Sequence, residues 1–176
     1  MPPALIALGA TLTLRRGDAR RTMPLEDFFL AYGRQDRAPG EFVESVFVPR
    51  VEPGTRVAID KVSKRFDSDI SAVCAAFAIR VEAGRVAAAR VAFGGMAATP
   101  KRAHACEAAL LGAAWQENTI DAAASALAED YAPLSDVRGS SAYRLATARA
   151  LLRRLWLADA RPGEPLSVLA EGLVDG

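Results

Sequence analysis

Strand-like alternation fills the first half of the chain and helical stretches fill the second. Thr11-Leu12-Thr13-Leu14 sets apolar and polar side chains on opposite faces, so Ala4 to Arg15 is expected to form a strand, with Gly9 as a bulge or turn within it. Gly17-Asp18, between Arg15-Arg16 and Arg20-Arg21, predicts a hairpin turn with basic flanks. A short helix is expected from Pro24 to Tyr32, with proline near its start, Glu26 and Asp27 in its first turn, and Gly33 ending it. Its Phe28, Phe29 and Tyr32 are expected as core anchors. Strands follow at 43–48, closed by Pro49, and at 57–65, with Pro53-Gly54 as a turn and subdomain boundary. From Ile70 to Ile79 the chain turns almost wholly apolar and small, and antiparallel strands at 71–81 and 86–93 meet at Ala83-Gly84. Past Gly94-Gly95, with Thr99 as a cap before Pro100, helices are expected at 103–111, 119–131 and 141–157. The fold class is therefore α+β: an antiparallel β-sheet of about four strands packed against three C-terminal helices.

Composition narrows the function classes. Half of the 176 residues are apolar, enough for a real core, and 22 Lys plus Arg nearly cancel 21 Asp plus Glu. That balance argues against a nucleic-acid-binding surface as the main function. Cys74 and Cys106 are far apart and His104 is the lone histidine, which excludes an iron–sulfur cluster or a Cys/His zinc site built from this segment alone. Two separated thiols fit a reduced cytoplasmic protein, and no apolar run is long enough to span a membrane. Met1-Pro2-Pro3 has no basic lead-in, so the N-terminus does not read as a signal peptide. The chain enters its first strand in mid-stride and is expected to be the tail of something longer.

The stretch Lys61 to Ser71, KVSKRFDSDIS, is the densest in chemistry. Lys61, Ser63, Lys64 and Arg65 run into Phe66 and then into Asp67 and Asp69, just ahead of the apolar strand. Fixed scaffolds tend to present functional groups on such loops, where an aromatic can stack on a planar ring and a cation can serve phosphate or carboxylate. The plainer reading is a solvated, charged turn before a core strand. The four arginines of the hairpin invite an anion, but basic hairpin ends are usually only solvated. Asp136 in PLSDVRGSSAYR is expected to cap a helix or to pair with Arg138 or Arg144, a structural network. Arg149 to Arg154 reads as a solvated stripe on the last helix. No nucleophile–base pair and no complete phosphate-binding glycine loop is present.

GEFVESVFVP, KVSKRFDSDIS, AFGGMAATPKRA and PLSDVRGSSAYR occur in the order and spacing seen in the flavin-binding part of xanthine dehydrogenases. The chain resembles the C-terminal portion of that family's small subunit from Pro3 to about Leu157. The resemblance implies three parts: 1–50 as the end of an FAD-binding domain, 55–160 as the C-terminal domain shared with carbon monoxide dehydrogenase flavoproteins, and 161–176 as a tail. Within that tail, Leu166 to Leu173 is expected to form at most one helical turn.

What the resemblance implies for function is an electron relay. A molybdenum-binding large subunit would hydroxylate hypoxanthine or xanthine, and electrons would pass through [2Fe-2S] clusters to FAD and on to NAD. The clusters and the molybdenum cofactor would be held on other parts of the enzyme. Val43 would match an apolar residue packing on the flavin, and Lys61 a lysine contacting it. The loop from Arg65 to Ile70, with Asp67 and Asp69, would lie beside the ring and tune its potential. Ser68 and Phe66 replace charged residues of animal relatives, so an animal-type oxidase switch is not implied. The family's pyrophosphate loop has no match here, so the implied FAD site is incomplete in this chain, which alone is expected to be inactive. Two alternatives stay open: a cofactor-free interaction module with this fold, and the flavoprotein subunit of a carbon monoxide or aldehyde dehydrogenase relative.

Overall fold

The structure is a computed structural model, and it describes residues 1–65 and 70–163. It opens with helix α1 (Pro2–Ala7), followed by β1 (Thr11–Arg16) and β2 (Ala19–Pro24). A single turn of 3-10 helix, Leu25–Phe28, leads into β3 (Phe29–Ala31), β4 (Arg34–Gln35) and β5 (Phe42–Phe47). The expected strand at Ala4 to Arg15 is therefore helix and strand. Prolines at the first helical positions lose no hydrogen bond there, and the alternation begins only at Thr11. The expected helix at Pro24 to Tyr32 shrinks to its first turn, because Phe29–Ala31 pairs with Arg34–Gln35 instead. Of its three aromatics only Phe28 is buried, and Tyr32 is 89% exposed.

Two antiparallel sheets carry the fold. In the first, of order β2-β1-β5, the hairpin turns at Gly17-Asp18 as expected and β5 takes the far edge. The second runs β6 (Thr55–Val62), β7 (Val73–Glu82), β8 (Arg85–Gly94), β9 (Lys101–Arg102). Its three long strands lie near their expected positions. The two-residue β9 is new, and β6 ends at Val62 rather than 65.

Alternation along β7 gives the second sheet two different faces. Val73, Ala75, Phe77 and Ile79 point toward α2 (His104–Leu110), α3 (Glu117–Asp130) and α4 (Ser141–Ala160), where Phe93, Leu110, Ile120, Leu127 and Leu152 complete the core. Phe77 meets Phe93 edge-on at 5.8 Å, and Phe93 meets Tyr131 at 5.5 Å. Burial of each such ring stabilises by about 1.5–3 kcal/mol, with an edge-to-face increment beyond that. Ala76 and Ala92 occupy the opposite face, and their small side chains let Ile6, Ala7, Leu12, Leu14, Leu25 and Phe28 pack against the sheet as a second core. The sheet is thus covered on both sides, by helices on one and by the N-terminal segment on the other.

Polar groups tie these layers. Arg90 on β8 donates to the carbonyls of Ile6 and Ala7, the last turn of α1, and reaches Glu26 at 3.1 Å. Glu26 also meets Arg102 at 3.5 Å, and Arg102 binds the buried Glu107 at 2.6 Å. The second Glu107 oxygen accepts the backbone N–H of Val91 at 2.7 Å. Helix α2 is capped from a distance. Thr99 lies outside it, and the Asp130 carboxylate at the end of α3 accepts the N–H groups of Ala105 and Cys106 at 2.9 and 3.0 Å. Because that carboxylate satisfies two otherwise orphaned donors, Asp130→Ala should lower stability by about 1–2 kcal/mol. A urea-unfolding midpoint unchanged from the parent chain would contradict this.

Candidate functional site

Two edge strands carry apolar side chains that stand exposed among the described residues. On β5, Val43 is 41% exposed, Phe47 66%, and Phe42 and Val46 are likewise open. A bulge between Thr13 and Leu14 shifts the register, so Val46 pairs with Leu12 and Val43 with Leu14, alongside two buried leucines. On β6, alternation turns Ala58 and Val62 toward the helical core, and Asp60 pairs with Arg154 of α4 at 2.9 Å. Val57, Ile59 and Lys61 occupy the other face and are exposed. Lys61 stands opposite Cys74 in the register. Burial pushes the Cys74 thiol up, while the positive charges of the N-terminus and Lys61 pull against that shift.

The proposed site residues are thus distributed over two sheets: Val43 on the edge of the first, Lys61 on the edge of the second. Arg65 is exposed just past β6, and its carbonyl accepts from Ser63 Oγ at 2.8 Å. Ile70 lines a cavity of about 200 Å³ with Tyr32, Gly95, Leu134, Arg138 and Arg144. Asp67 and Asp69 lie outside the described residues, as do Phe66 and Ser68.

A second cavity, about 390 Å³, adjoins the same loop and is lined by Ser63, Lys64, Ala72, Val137, Arg138 and Tyr143. Asp136 lines both. It belongs to a turn in which Asp136 and Gly139 exchange backbone hydrogen bonds. Its carboxylate accepts the N–H of Arg138 at 2.8 Å and the Arg144 guanidinium at 2.6 Å, and these contacts hold its pKa at about 2. The Arg138 and Arg144 pairings expected for Asp136 both form, and Ser140, not Asp136, caps α4 by accepting the N–H of Tyr143. Arg144 is 4% exposed and also donates to the carbonyls of Ala72 and Gly95. Lys64 and Arg144 are the residues that sequence reasoning left out of the site. Their signal was present in KVSKRFDSDIS and PLSDVRGSSAYR, but the contact spans 73 positions for Lys64 and 72 for Arg144.

The basic hairpin is largely neutralised. Arg15 and Arg20 share Glu44 at 2.8 and 2.7 Å, and Arg21 binds Asp36 and Glu41 at 3.0 and 2.8 Å. Arg21 and the Ala38 N–H hold Glu41 at about 2. The arginine stripe of α4 is likewise paired: Arg153 with Glu117 and Asp121, Arg154 with Asp60, and Arg149 with the carbonyl of Ala124.

Comparison with known proteins matches both parts of the chain. Residues 59–158 match the CO dehydrogenase flavoprotein C-terminal domain, and residues 1–51 match the FAD binding domain in molybdopterin dehydrogenase. The chain is 33% identical over 163 residues to the nicotinate hydroxylase of Emericella nidulans, covering 89% of the chain and 12% of that protein. It is 31% identical over 153 residues to the carbon monoxide dehydrogenase medium chain of Hydrogenophaga pseudoflava, covering 86% of the chain and 53% of that protein. The solved carbon monoxide dehydrogenase from the same organism superposes with a TM-score of 0.82 at 33% identity, over 87% of this chain and 53% of that one. Quinoline 2-oxidoreductase from Pseudomonas putida superposes at 0.77 with 30% identity, over 91% and 55%. The chain spans about half the length of the carbon monoxide dehydrogenase medium chain and 12% of the nicotinate hydroxylase.

Carboxylates held below their usual range, Asp136 and Glu41 among them, set an acid limit. Asp136 and Glu41 bind protons more weakly folded than unfolded, so their stabilisation is present above the unfolded carboxylate range, near 4, and is lost as pH falls toward 2. Asp136→Asn should flatten the fall in unfolding midpoint between about pH 4 and 2. An acid limb as steep as the parent's would show that the turn contributes nothing to it.

Proposed function

The chain belongs to the flavoprotein family defined by the CO dehydrogenase C-terminal domain and the FAD-binding domain of molybdopterin dehydrogenases, and we propose that it forms the flavin-side part of a molybdenum hydroxylase. The observation that carries this reading is the pair of uncovered edge strands. One offers an apolar wall at Val43 and Val46; the other offers Val57 and Ile59 with a lysine at the end of the row. A flat aromatic ring system that gains negative charge on reduction suits such a wall with a cation beside it. The fit is to the flavin ring, since the sequence has no complete glycine loop for the diphosphate.

Bound FAD would supply two-electron chemistry, receiving electrons from the enzyme's iron–sulfur clusters and passing them to an acceptor. The roles of this chain's own residues are narrower. Val43 packs on the ring and excludes water from it. Lys61 holds a positive charge that favours the reduced form, and Arg65, Asp67, Asp69 and Ile70 border the ring and set who reaches it. The iron–sulfur clusters and the molybdenum cofactor belong to other parts, namely an iron–sulfur portion of the same enzyme and a molybdenum-binding large subunit.

The finer assignment is xanthine or hypoxanthine as substrate and NAD as acceptor, in purine catabolism in the cytoplasm. It rests on the wording of KVSKRFDSDIS. A second reading, a nicotinate, carbon monoxide or aldehyde substrate, is favoured by the spread of names among relatives of similar identity. Substrate is chosen at the molybdenum site, so this chain is compatible with either.

Lys61→Met in the assembled, FAD-loaded enzyme tests the cation. Loss of one charge-assisted contact from the reduced form should lower the two-electron flavin potential by on the order of 30 mV, the equivalent of about 1.4 kcal/mol. Reduction of the iron–sulfur centres by substrate should keep its rate. Normal FAD content, potential and turnover in the mutant would remove Lys61 from the site.

A further inference from the structure

Strand β6 is a sheet edge: among the described residues β7 pairs with one side of it and no strand pairs with the other. Val62 gives its carbonyl to the Ala72 N–H on the β7 side. Backbone groups alternate in direction along a strand, so Val57 and Ile59 point their N–H and C=O groups outward. A cavity of about 320 Å³ adjoins this edge, lined by Ala58 and Ile59 from opposite faces of β6 and by Arg154, Leu155 and Ala158 of α4. A cavity reached from both faces of a strand lies along its edge. Open edges of this length are templates for another strand.

The sequence of β6, TRVAIDKV, fits a second copy of itself laid antiparallel. A two-fold axis between residues is excluded, because a one-residue slip sets the face of Val57 and Ile59 against the charged face. An axis at Arg56 sets arginine against arginine, and an axis at Asp60 sets carboxylate against carboxylate. An axis at Val57 or Ile59 leaves neither Arg56 nor Asp60 opposite an opposite charge. An axis at Ala58 pairs Arg56 with Asp60 of the second copy, twice, and sets Val57 against Ile59 on the other face. Within the chain Arg56 binds Asp159 and Asp60 binds Arg154. Across the seam the row therefore runs Asp159, Arg56, then Asp60 and Arg154 of the second copy, alternating in sign. Ala58 suits its place on the axis. A pair whose backbone groups point away from each other stands at a Cα separation of about 4.5 Å, where a small side chain lets the strands meet.

We propose that the edge of β6 is a self-association surface: two copies of the chain join antiparallel about Ala58, continuing the four-stranded sheet across the seam. Val57 and Ile59 supply the outward backbone groups, and the Arg56–Asp60 pairs fix the register. The seam uses the edge of the strand and leaves its faces as they are, so it forms with or without a flavin on the Val57 face. An interface one strand long buries under about 1,200 Å² and belongs to the weak, transient class.

Analytical ultracentrifugation of the full chain from about 1 to 500 μM reads the seam, and dimers should form across that range. Arg56→Glu and, separately, Asp60→Arg set like charges opposite each other at both ends of the seam, and each should weaken the dimer about tenfold. An equimolar mixture of the two restores both opposite-charge pairs and should return to within about threefold of the parent. Cysteine linking reads the register, with Cys74→Ser added to remove the half-buried native thiol. Oxidised Ala58→Cys should become a disulfide-linked dimer, its Cα being about 4.5 Å from its counterpart. Arg56→Cys, roughly 13 Å along the seam from its own counterpart, should not. The proposal is overturned if the parent chain stays monomeric throughout, or if folded charge variants leave the dimer unchanged or do not recover on mixing. It is also overturned if Ala58→Cys links no more than Arg56→Cys, and that comparison decides alone where the charge variants fail to fold.

Discussion

Arg90 is the residue on which the layering depends. A guanidinium on the alanine-lined face of the second sheet would be a half-buried charge without partners if the N-terminal segment were not there to use it. It closes the last turn of α1 by binding the carbonyls of Ile6 and Ala7, and it meets Glu26 beyond β2. Glu26 then engages Arg102, and Arg102 engages Glu107, which holds the backbone of β8 itself. Charge runs from the N-terminal segment through the sheet to α2 without leaving a buried ion alone. Small side chains at Ala76 and Ala92 allow the close approach; the arginine fixes its angle.

That placement explains why the two edge strands are where a ligand surface would be. The inner faces of the two sheets are used up around β1, β7 and β8, where Leu12, Leu14, Ala76 and Ala92 meet. Toward β5 and β6 the same alternation continues, but among the described residues the cover stops. Val43, Val46, Val57 and Ile59 are core-type residues left open, and open apolar edges of this kind mark an interaction surface. Lys61 ends the β6 row of Val57 and Ile59 opposite Cys74 and adds a charge to it.

Much of this was legible from the chain alone where local chemistry decides structure. The alternation Thr11 to Leu14, the turns at Gly17-Asp18 and Ala83-Gly84, and the three C-terminal helices all depend on residues within a few positions of each other. Errors arose where a partner on another element decided. Pro24 to Tyr32 carries the marks of a helix start, yet Phe29 pairs across with Gln35 and the helix ends after one turn. Thr99 has the chemistry of a cap, but Asp130 delivers the cap from α3. Site residues followed the same rule. Lys61 is proposed from its motif, whereas the convergence of Lys64, Asp136 and Arg144 on the same loop needs contacts across more than 70 positions. Exposure at Val43 is also a tertiary property: in sequence it is an ordinary strand valine.

On the function proposed above, the open faces of β5 and β6 receive the flavin. An experimental structure of the FAD-loaded enzyme containing this chain tests it most directly. The ring system should lie on the Val43 side of β5, with the Lys61 ammonium within about 4–6 Å of it. A flavin bound away from both strands, with Val43 and Lys61 covered only by protein, would contradict it.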